Sequence, residues 1–263
     1  MAAPPDALLQ RFPDHTWSSV TDGLSGALVW RLHGPSELFV KVAGASPHLD
    51  SGFDVRAEVE RTRWLAGRGI PVPEVVDAGT TGAEHWLITT AVAGLPAAHA
   101  WSAEQVPAVV DALADLTRTL HALPVEACPF DRSLSVTASA ARHAARAGLL
   151  DLDDLDDERA GWTAEELLAE LEATRPDDED LVVCHGDLTF DNVLLDPATA
   201  TVTGLIDLGR LGRADRCADL ALLTGELAGT NWPGAVERFL HRYGGPAPDP
   251  ARLAFYRLLD EFF

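Results

Sequence analysis

Apolar and polar residues alternate through much of the first third of the chain, and from about residue 100 the apolar positions recur every three to four residues. Residues 27–33 and 38–42 alternate as half-buried strands do, and Gly34-Pro35-Ser36 between them supplies a turn. Over residues 54–68 the period changes: Val55, Val59, Trp64 and Leu65 fall on one side of a helix, which Ile70-Pro71-Val72-Pro73 ends. Residues 75–78 and 85–90 return to strand. From Ser102 onward, Val106, Val109, Leu113, Leu116 and Leu120 trace a long helical stripe. A second helix is expected over residues 135–150, and Thr163 with Glu166 makes a capping box for a third that ends near Thr174. Short apolar strands at 181–184, 193–195 and 202–206 surround polar motifs, and the chain ends in a helical stretch over 253–263. The pattern predicts an α+β fold of two lobes, strand-rich over residues 1–93 and mainly helical over 94–263.

Composition narrows the class. A chain of 263 residues can bury a substantial core. No apolar run approaches the roughly 18 residues that span a bilayer, and residues 1–10 lack the basic start and apolar stretch of a signal peptide. The three cysteines (Cys128, Cys184 and Cys217) are far apart and show no metal-ligand spacing, which suits a reducing cytoplasm. A net charge of -21 repels nucleic acid and anionic lipid, so neither a nucleic-acid nor a membrane partner is expected. It also mildly favours a monomer, and it serves solubility as readily as it draws cations into acidic clefts. Nearly every basic residue is arginine; Lys41 is the only lysine in the chain.

The strongest chemical signal is Cys184-His185-Gly186-Asp187-Leu188-Thr189-Phe190-Asp191-Asn192, followed by Val193-Leu194-Leu195 and, downstream, by Ile206-Asp207-Leu208-Gly209. Phosphoryl transfer needs a carboxylate for the proton of the attacking hydroxyl, and an amide oxygen with a second carboxylate for Mg²⁺; Asp187, Asn192 and Asp207 supply these in that order. His185 fits a role in holding the loop backbone. Lys41 ends a strand, where such a lysine neutralises phosphates when a helix glutamate holds it; Glu58 is the natural partner, because Glu60 projects roughly 200° further round the helix. Asp22-Gly23-Leu24-Ser25-Gly26-Ala27 stands where a phosphate-covering loop belongs, with Ser25 as a donor, although a plain hairpin turn has the same composition.

With these parts in order, the chain resembles the aminoglycoside 3'-phosphotransferase family over essentially its whole length. The most specific pieces are His185-Gly186-Asp187-Leu188, the run from Val202 through Asp207-Leu208-Gly209-Arg210 to Arg216, the acidic stretch over residues 151–158, and the terminal Phe255-Tyr256-Arg257-Leu258-Leu259-Asp260-Glu261-Phe262-Phe263. The resemblance implies a bilobal protein-kinase-like fold and transfer of phosphate from ATP, or GTP in its place, with Mg²⁺, to a hydroxyl of an aminoglycoside, expected to be the 3'-hydroxyl. It implies that Asp187 is catalytic, that Asn192 and Asp207 bind metal, and that Lys41, Glu58 and Ser25 serve the phosphates. Phe39 then stacks on the base, and Thr90 and Val92 read its edge. Asp156, Asp157, Glu226, Asp260, Glu261 and the carboxylate of Phe263 line the drug pocket, with Arg210 beside the catalytic site. Several ammonium groups require several carboxylates, which agrees with that list.

Some positions depart from the family: Gly229 stands where relatives often carry another pocket acid, Gly225 where some carry an arginine, and Phe190-Asp191 where they often have smaller or different residues. A solvated acidic loop remains an alternative for residues 151–158, whereas a calcium loop fits poorly because its sixth-position glycine is absent. Two other functions compete. One is a kinase of the same fold for another small alcohol, such as a different antibiotic, choline or a homoserine-like acceptor; the other is a nucleotide-binding pseudokinase.

Overall fold

The computed structural model describes residues 4–20 and 26–263. A short helix α1 (Asp6–Leu9) precedes strands β1 (Thr16–Val20), β2 (Leu28–His33) and β3 (Leu38–Ala43). A 3-10 turn at Ser51–Phe53 leads into helix α2 (Val55–Leu65), and β4 (Val75–Thr81) and β5 (Glu84–Thr90) follow. The five strands make one antiparallel sheet in the order β1-β2-β3-β5-β4. Leu38, Val40 and Val42 of β3 are buried with Trp30, Leu32, Trp86, Ile88 and Leu8 of α1. The opposite face of the sheet carries Leu87, which packs on Val55 and Val59 of α2. Asp54 caps α2 by accepting from the Arg56 N–H, and the helix gives way to Gly67 at φ 76°.

Beyond the sheet, β6 (Leu95–Pro96) is followed by helices α3 (Val106–His121), α4 (Leu134–Ala147) and α5 (Ala164–Ala173). Strands β7 (Leu181–Cys184), β8 (Val193–Leu195), β9 (Val202–Leu205) and β10 (Gly212–Asp215) come next, and helices α6 (Cys217–Gly229), α7 (Ala235–Tyr243) and α8 (Pro250–Asp260) complete the chain. The apolar stripe of α3 (Val109, Leu113, Leu120) packs against Val183, Leu188, Leu205, Leu220 and Phe239. A second cluster joins α4, α5 and α8 through Leu134, Leu167, Leu171, Phe255, Leu259 and Phe262. Burying each such leucine or phenylalanine contributes roughly 1.5–3 kcal/mol, so the polar loops between β7 and β10 hang on a firm apolar frame. Among the described residues, no helix is long and apolar enough to cross a membrane.

The elements expected from periodicity are present with ends shifted by a few residues, and the Thr163–Glu166 capping box is made in full. Two features fall outside that reading. Strand β10 has the sequence Gly-Arg-Ala-Asp and no apolar alternation; its pairing with β7 makes it a strand. Helix α8 begins at Pro250, ahead of the expected 253, because Asp249 caps it and Pro250 suits its first turn.

Candidate functional site

Strand alternation sends Phe39 and Lys41 to the face of β3 opposite the buried Leu38, Val40 and Val42. Lys41 Nζ lies 2.9 Å from Glu58 Oε2, in the first turn of α2, and 3.1 Å from Asp207 Oδ1, in the turn after β9. Three elements distant in sequence thus converge on one ammonium. Burial works against that charge, but Glu58 and Asp207 outweigh it and raise the Lys41 pKa above its ordinary value. Burial likewise opposes the Asp207 carboxylate, yet the charge and hydrogen bond of Lys41 hold its pKa below the usual range. Asp207 sits at φ 54°, ψ 59°, a left-handed conformation that aspartate tolerates better than most residues. Glu60 is exposed, as its position on the helix requires.

Phe39 is half-buried, with the Arg31 guanidinium 5.8 Å from its ring centre. Thr90 ends β5, where its N–H donates to Glu74 O at 3.0 Å and its Oγ1 accepts from the Glu74 N–H at 3.0 Å. Val92 crosses over β9 at Gly204, where a Cβ would come within 2.5 Å of a Val92 methyl. Residues 22–25 of the expected phosphate loop, Ser25 among them, lie outside the described residues.

The loop after β7 carries Asp187. Asn192 Nδ2 donates to Asp187 O at 2.8 Å and to Asp187 Oδ2 at 3.0 Å, which turns the amide oxygen of Asn192 the other way. His185 is fully buried; its Nδ1 accepts from the Asp187 N–H at 3.2 Å, so Nε2 is the protonated nitrogen and donates to Ile206 O at 2.9 Å. One imidazole thereby ties the loop that carries Asp187 to the segment that carries Asp207.

Beneath the loop stands a residue that no local motif marks. Asp219 of α6 is fully buried, and its two oxygens accept from the backbone N–H groups of His185 and Gly186, each at 2.8 Å, and from His121 Nε2 at 3.0 Å. His121, Cys184 and Asp219 bring potential metal-ligand atoms within 4.8 Å of one another. Three donors already occupy the two oxygens of Asp219, so the group reads as a hydrogen-bonded anchor for the loop.

On the other side, Arg210 Nη1 is 3.0 Å from Asp260 Oδ1 and 3.6 Å from Asp187 Oδ1, and its guanidinium lies 5.4 Å from the Phe263 ring centre. Burial raises the pKa of Asp260 to about 6; Arg210 opposes the shift, and Asp187, Glu261 and Asp156 add to it. Glu261 is nearly buried and paired with Arg159 Nη1 at 2.9 Å, which also lies 3.2 Å from the exposed Asp156. The Asp156 N–H donates to the Glu261 carboxylate at 3.3 Å. Glu226 accepts from the Phe190 N–H at 2.6 Å; burial, reinforced by Asp191 and Asp187 against that hydrogen bond, pushes its pKa up to about 7.

The structure therefore gathers Lys41, Glu58 and Asp207 at one end and Asp187, Arg210, Asp260, Glu261, Asp156 and Phe263 at the other, with Asn192 and Glu226 against the loop between. Asp157 opens a 3-10 turn and is exposed, and among the described residues its side chain joins none of these contacts. Asp50, Arg132 and Arg159 enter the site without any sequence signal. Asp50 is buried, 2.6 Å from Arg132 Nη1 and 3.4 Å from Arg210 Nε. Burial opposes its charge, but the two guanidinium groups and the Gly52 N–H more than offset that and hold its pKa below the ordinary range.

Comparison with known proteins places this geometry among relatives. A family model described as "Phosphotransferase enzyme family" matches residues 16–256. An aminoglycoside 3'-phosphotransferase of Streptomyces fradiae is 52% identical over 97% of this chain and 98% of its own. The crystal structure of a type VIII aminoglycoside-3'-phosphotransferase superposes with a TM-score of 0.91 at 55% identity, covering 98% of this chain and 97% of the other. An aminoglycoside phosphotransferase of Streptomyces rimosus, in complex with ADP and streptomycin, gives a TM-score of 0.83 at 36% identity, covering 97% and 95%.

Proposed function

This chain belongs to the phosphotransferase enzyme family, in its aminoglycoside 3'-phosphotransferase branch, and from that premise we propose that it transfers the γ-phosphate of ATP to the 3'-hydroxyl of an aminoglycoside and so inactivates the drug. The observation that carries this reading is the meeting of Lys41, Glu58 and Asp207, at 2.9 and 3.1 Å, next to a loop that holds Asp187 over a floor of acids. A relative in complex with ADP supports nucleotide use.

In this reading Phe39 packs on the base, and Thr90 and Val92 present backbone groups to its edge. Lys41 stays charged between two carboxylates and meets the phosphates, together with Ser25. Asn192 and Asp207 offer oxygen donors only, a set that fits a hard divalent ion such as Mg²⁺, which when bound shields the phosphate charge. Asp156, Asp157, Glu226, Asp260, Glu261 and the carboxylate of Phe263 attract the ammonium groups of the drug. Arg210 fixes Asp187 and Asp260 relative to each other, so the docked sugar presents its hydroxyl to Asp187. That carboxylate orients the hydroxyl and takes its proton late, as the phosphorus–oxygen bond forms. Positioning and charge supply most of the acceleration. The enzyme works as a monomer in the cytoplasm, where ATP is at hand and its three buried free thiols stay reduced.

The test is an ADP-release assay with a panel of aminoglycosides, on the natural chain and on Asp187→Ala, with the product's phosphate located by NMR. Turnover in the natural chain, a loss of at least about a hundredfold in the variant and nucleotide affinity unchanged are expected. Near-normal turnover by Asp187→Ala overturns the catalytic role. A phosphate found on another hydroxyl overturns the regiochemistry alone.

A further inference from the structure

Residues Asp50, Ser51 and Gly52 come from the sheet-bearing part of the chain, yet their partners are Arg132, ahead of α4, and the turn that carries Asp207 and Arg210. Ser51 Oγ donates to Gly209 O at 2.8 Å and accepts from Arg132 Nη1 at 3.1 Å. Asp50 Oδ1 accepts from the Gly52 N–H at 2.8 Å and faces Arg210 Nε at 3.4 Å, while Oδ2 holds Arg132 at 2.6 Å. The backbones approach so closely that a Cβ on Gly209 would sit 3.2 Å from Gly52 Cα. A Cβ on Gly52 would meet Arg210 Nε at 2.9 Å, and Arg210 Cγ and Asp50 Oδ1 each at 3.0 Å, pressing on both partners of the ion pair. The segment is thus shaped around the stem of Arg210 as well as charged toward its head.

Arg210 has little freedom to share its charge differently. Its side chain is 12% exposed, and its guanidinium reaches three carboxylates: Asp50 through Nε, and Asp187 and Asp260 through Nη1. The Nε ion pair at 3.4 Å and the close wall at Gly52 together restrict how the fork can turn, and so where Nη1 falls between the other two acids.

We propose that Asp50 is a positioning residue for the transfer reaction: with Gly52 it seats Arg210, and through Arg210 it sets the placement of Asp187 against the acceptor pocket. The proposal rests on the reading of Asp187 and Arg210 as parts of the catalytic site. Asp50 shares no contact with Lys41 or Glu58 among the described residues, so its loss should act on turnover and spare nucleotide binding at Lys41.

A double-mutant cycle tests this, with kcat, both KM values and thermal midpoints measured for Asp50→Asn, Arg210→Met, their combination and Gly52→Ala, and Asp187→Ala as the control. Asp50→Asn is expected to lower kcat roughly ten- to a hundredfold, because small displacements of reacting groups are that costly. The KM for ATP should stay within about twofold, and in the Arg210→Met background Asp50→Asn should change kcat less than about twofold, since the two residues act as one unit. Gly52→Ala removes no charge and leaves Asp50 paired with Arg132, so it should fold and still lose kcat; if Asp50→Asn does not fold, Gly52→Ala decides. An Asp50→Asn effect as large without Arg210 as with it, or a natural kcat in Gly52→Ala, overturns the proposal while the Asp187→Ala loss leaves the functional reading intact. Normal turnover by Asp187→Ala overturns both.

Discussion

Glu226 and Asp260 are the two acids whose protons should be visible from outside. Their pKa values rise to about 7 and about 6, chiefly through burial. Acids raised in this way stay protonated in the fold while the unfolded chain has released its protons. The stability they contribute is complete below the ordinary carboxylate range and is lost as pH climbs through their folded values. Asp260 keeps 36% of its side chain open to solvent, so Glu226 should dominate the effect. Glu226→Gln keeps an oxygen for the Phe190 N–H and removes the charge. It should therefore melt above the natural protein at pH 8 and alongside it at pH 5, and equal midpoints at pH 8 would contradict the shift. The same deprotonation readies the drug site, so the natural enzyme's KM for the drug should fall between pH 5.5 and 7.5. The sequence marked Lys41 and Glu58 because a strand end and a helix face bracket them. It left Asp50 unmarked because an isolated acid in a loop has no period, and its partners lie 82 and 160 positions further along the chain.

Elements with strong periodicity were legible, since apolar stripes such as that of α3 specify burial locally. Strand β10 was not, because its state depends on β7, with β8 and β9 intervening in the chain, and not on its own four residues. Helix α5 shows how local chemistry can be written out in full. Thr163 Oγ1 accepts from the Glu166 N–H at 3.2 Å, and Glu166 returns the bond to the Thr163 N–H at 2.9 Å. Thr163→Ala should cost about 1 kcal/mol of stability in denaturant titrations without altering the KM for ATP; a change below about 0.3 kcal/mol would mean that packing of Leu167 and Leu171 alone decides the helix. Helix α8 and the residues just after it join fold to site, with Phe255 and Phe262 buried in the second cluster and Asp260 and Glu261 facing Arg210 and Arg159. Truncating its end removes core and pocket together, which makes substitutions of the two acids the sharper probe.

At the scale of the whole molecule the charge of -21 is a long-range field, and the acidic floor is where it meets a polycation. Its exposed part is screened within about 8 Å at physiological ionic strength. Raising salt from about 20 to 300 mM should accordingly increase the KM for the drug several-fold and move kcat far less. A flat response would mean that the paired, shielded acids around Arg159 and Arg210 do the binding. The lone lysine has a separate bearing on how this protein can be handled. Reagents that couple to side-chain primary amines find only Lys41, held as an ammonium between two acids and 14% exposed. Labelling of side-chain amines by such chemistry would therefore strike the working site or no side chain at all.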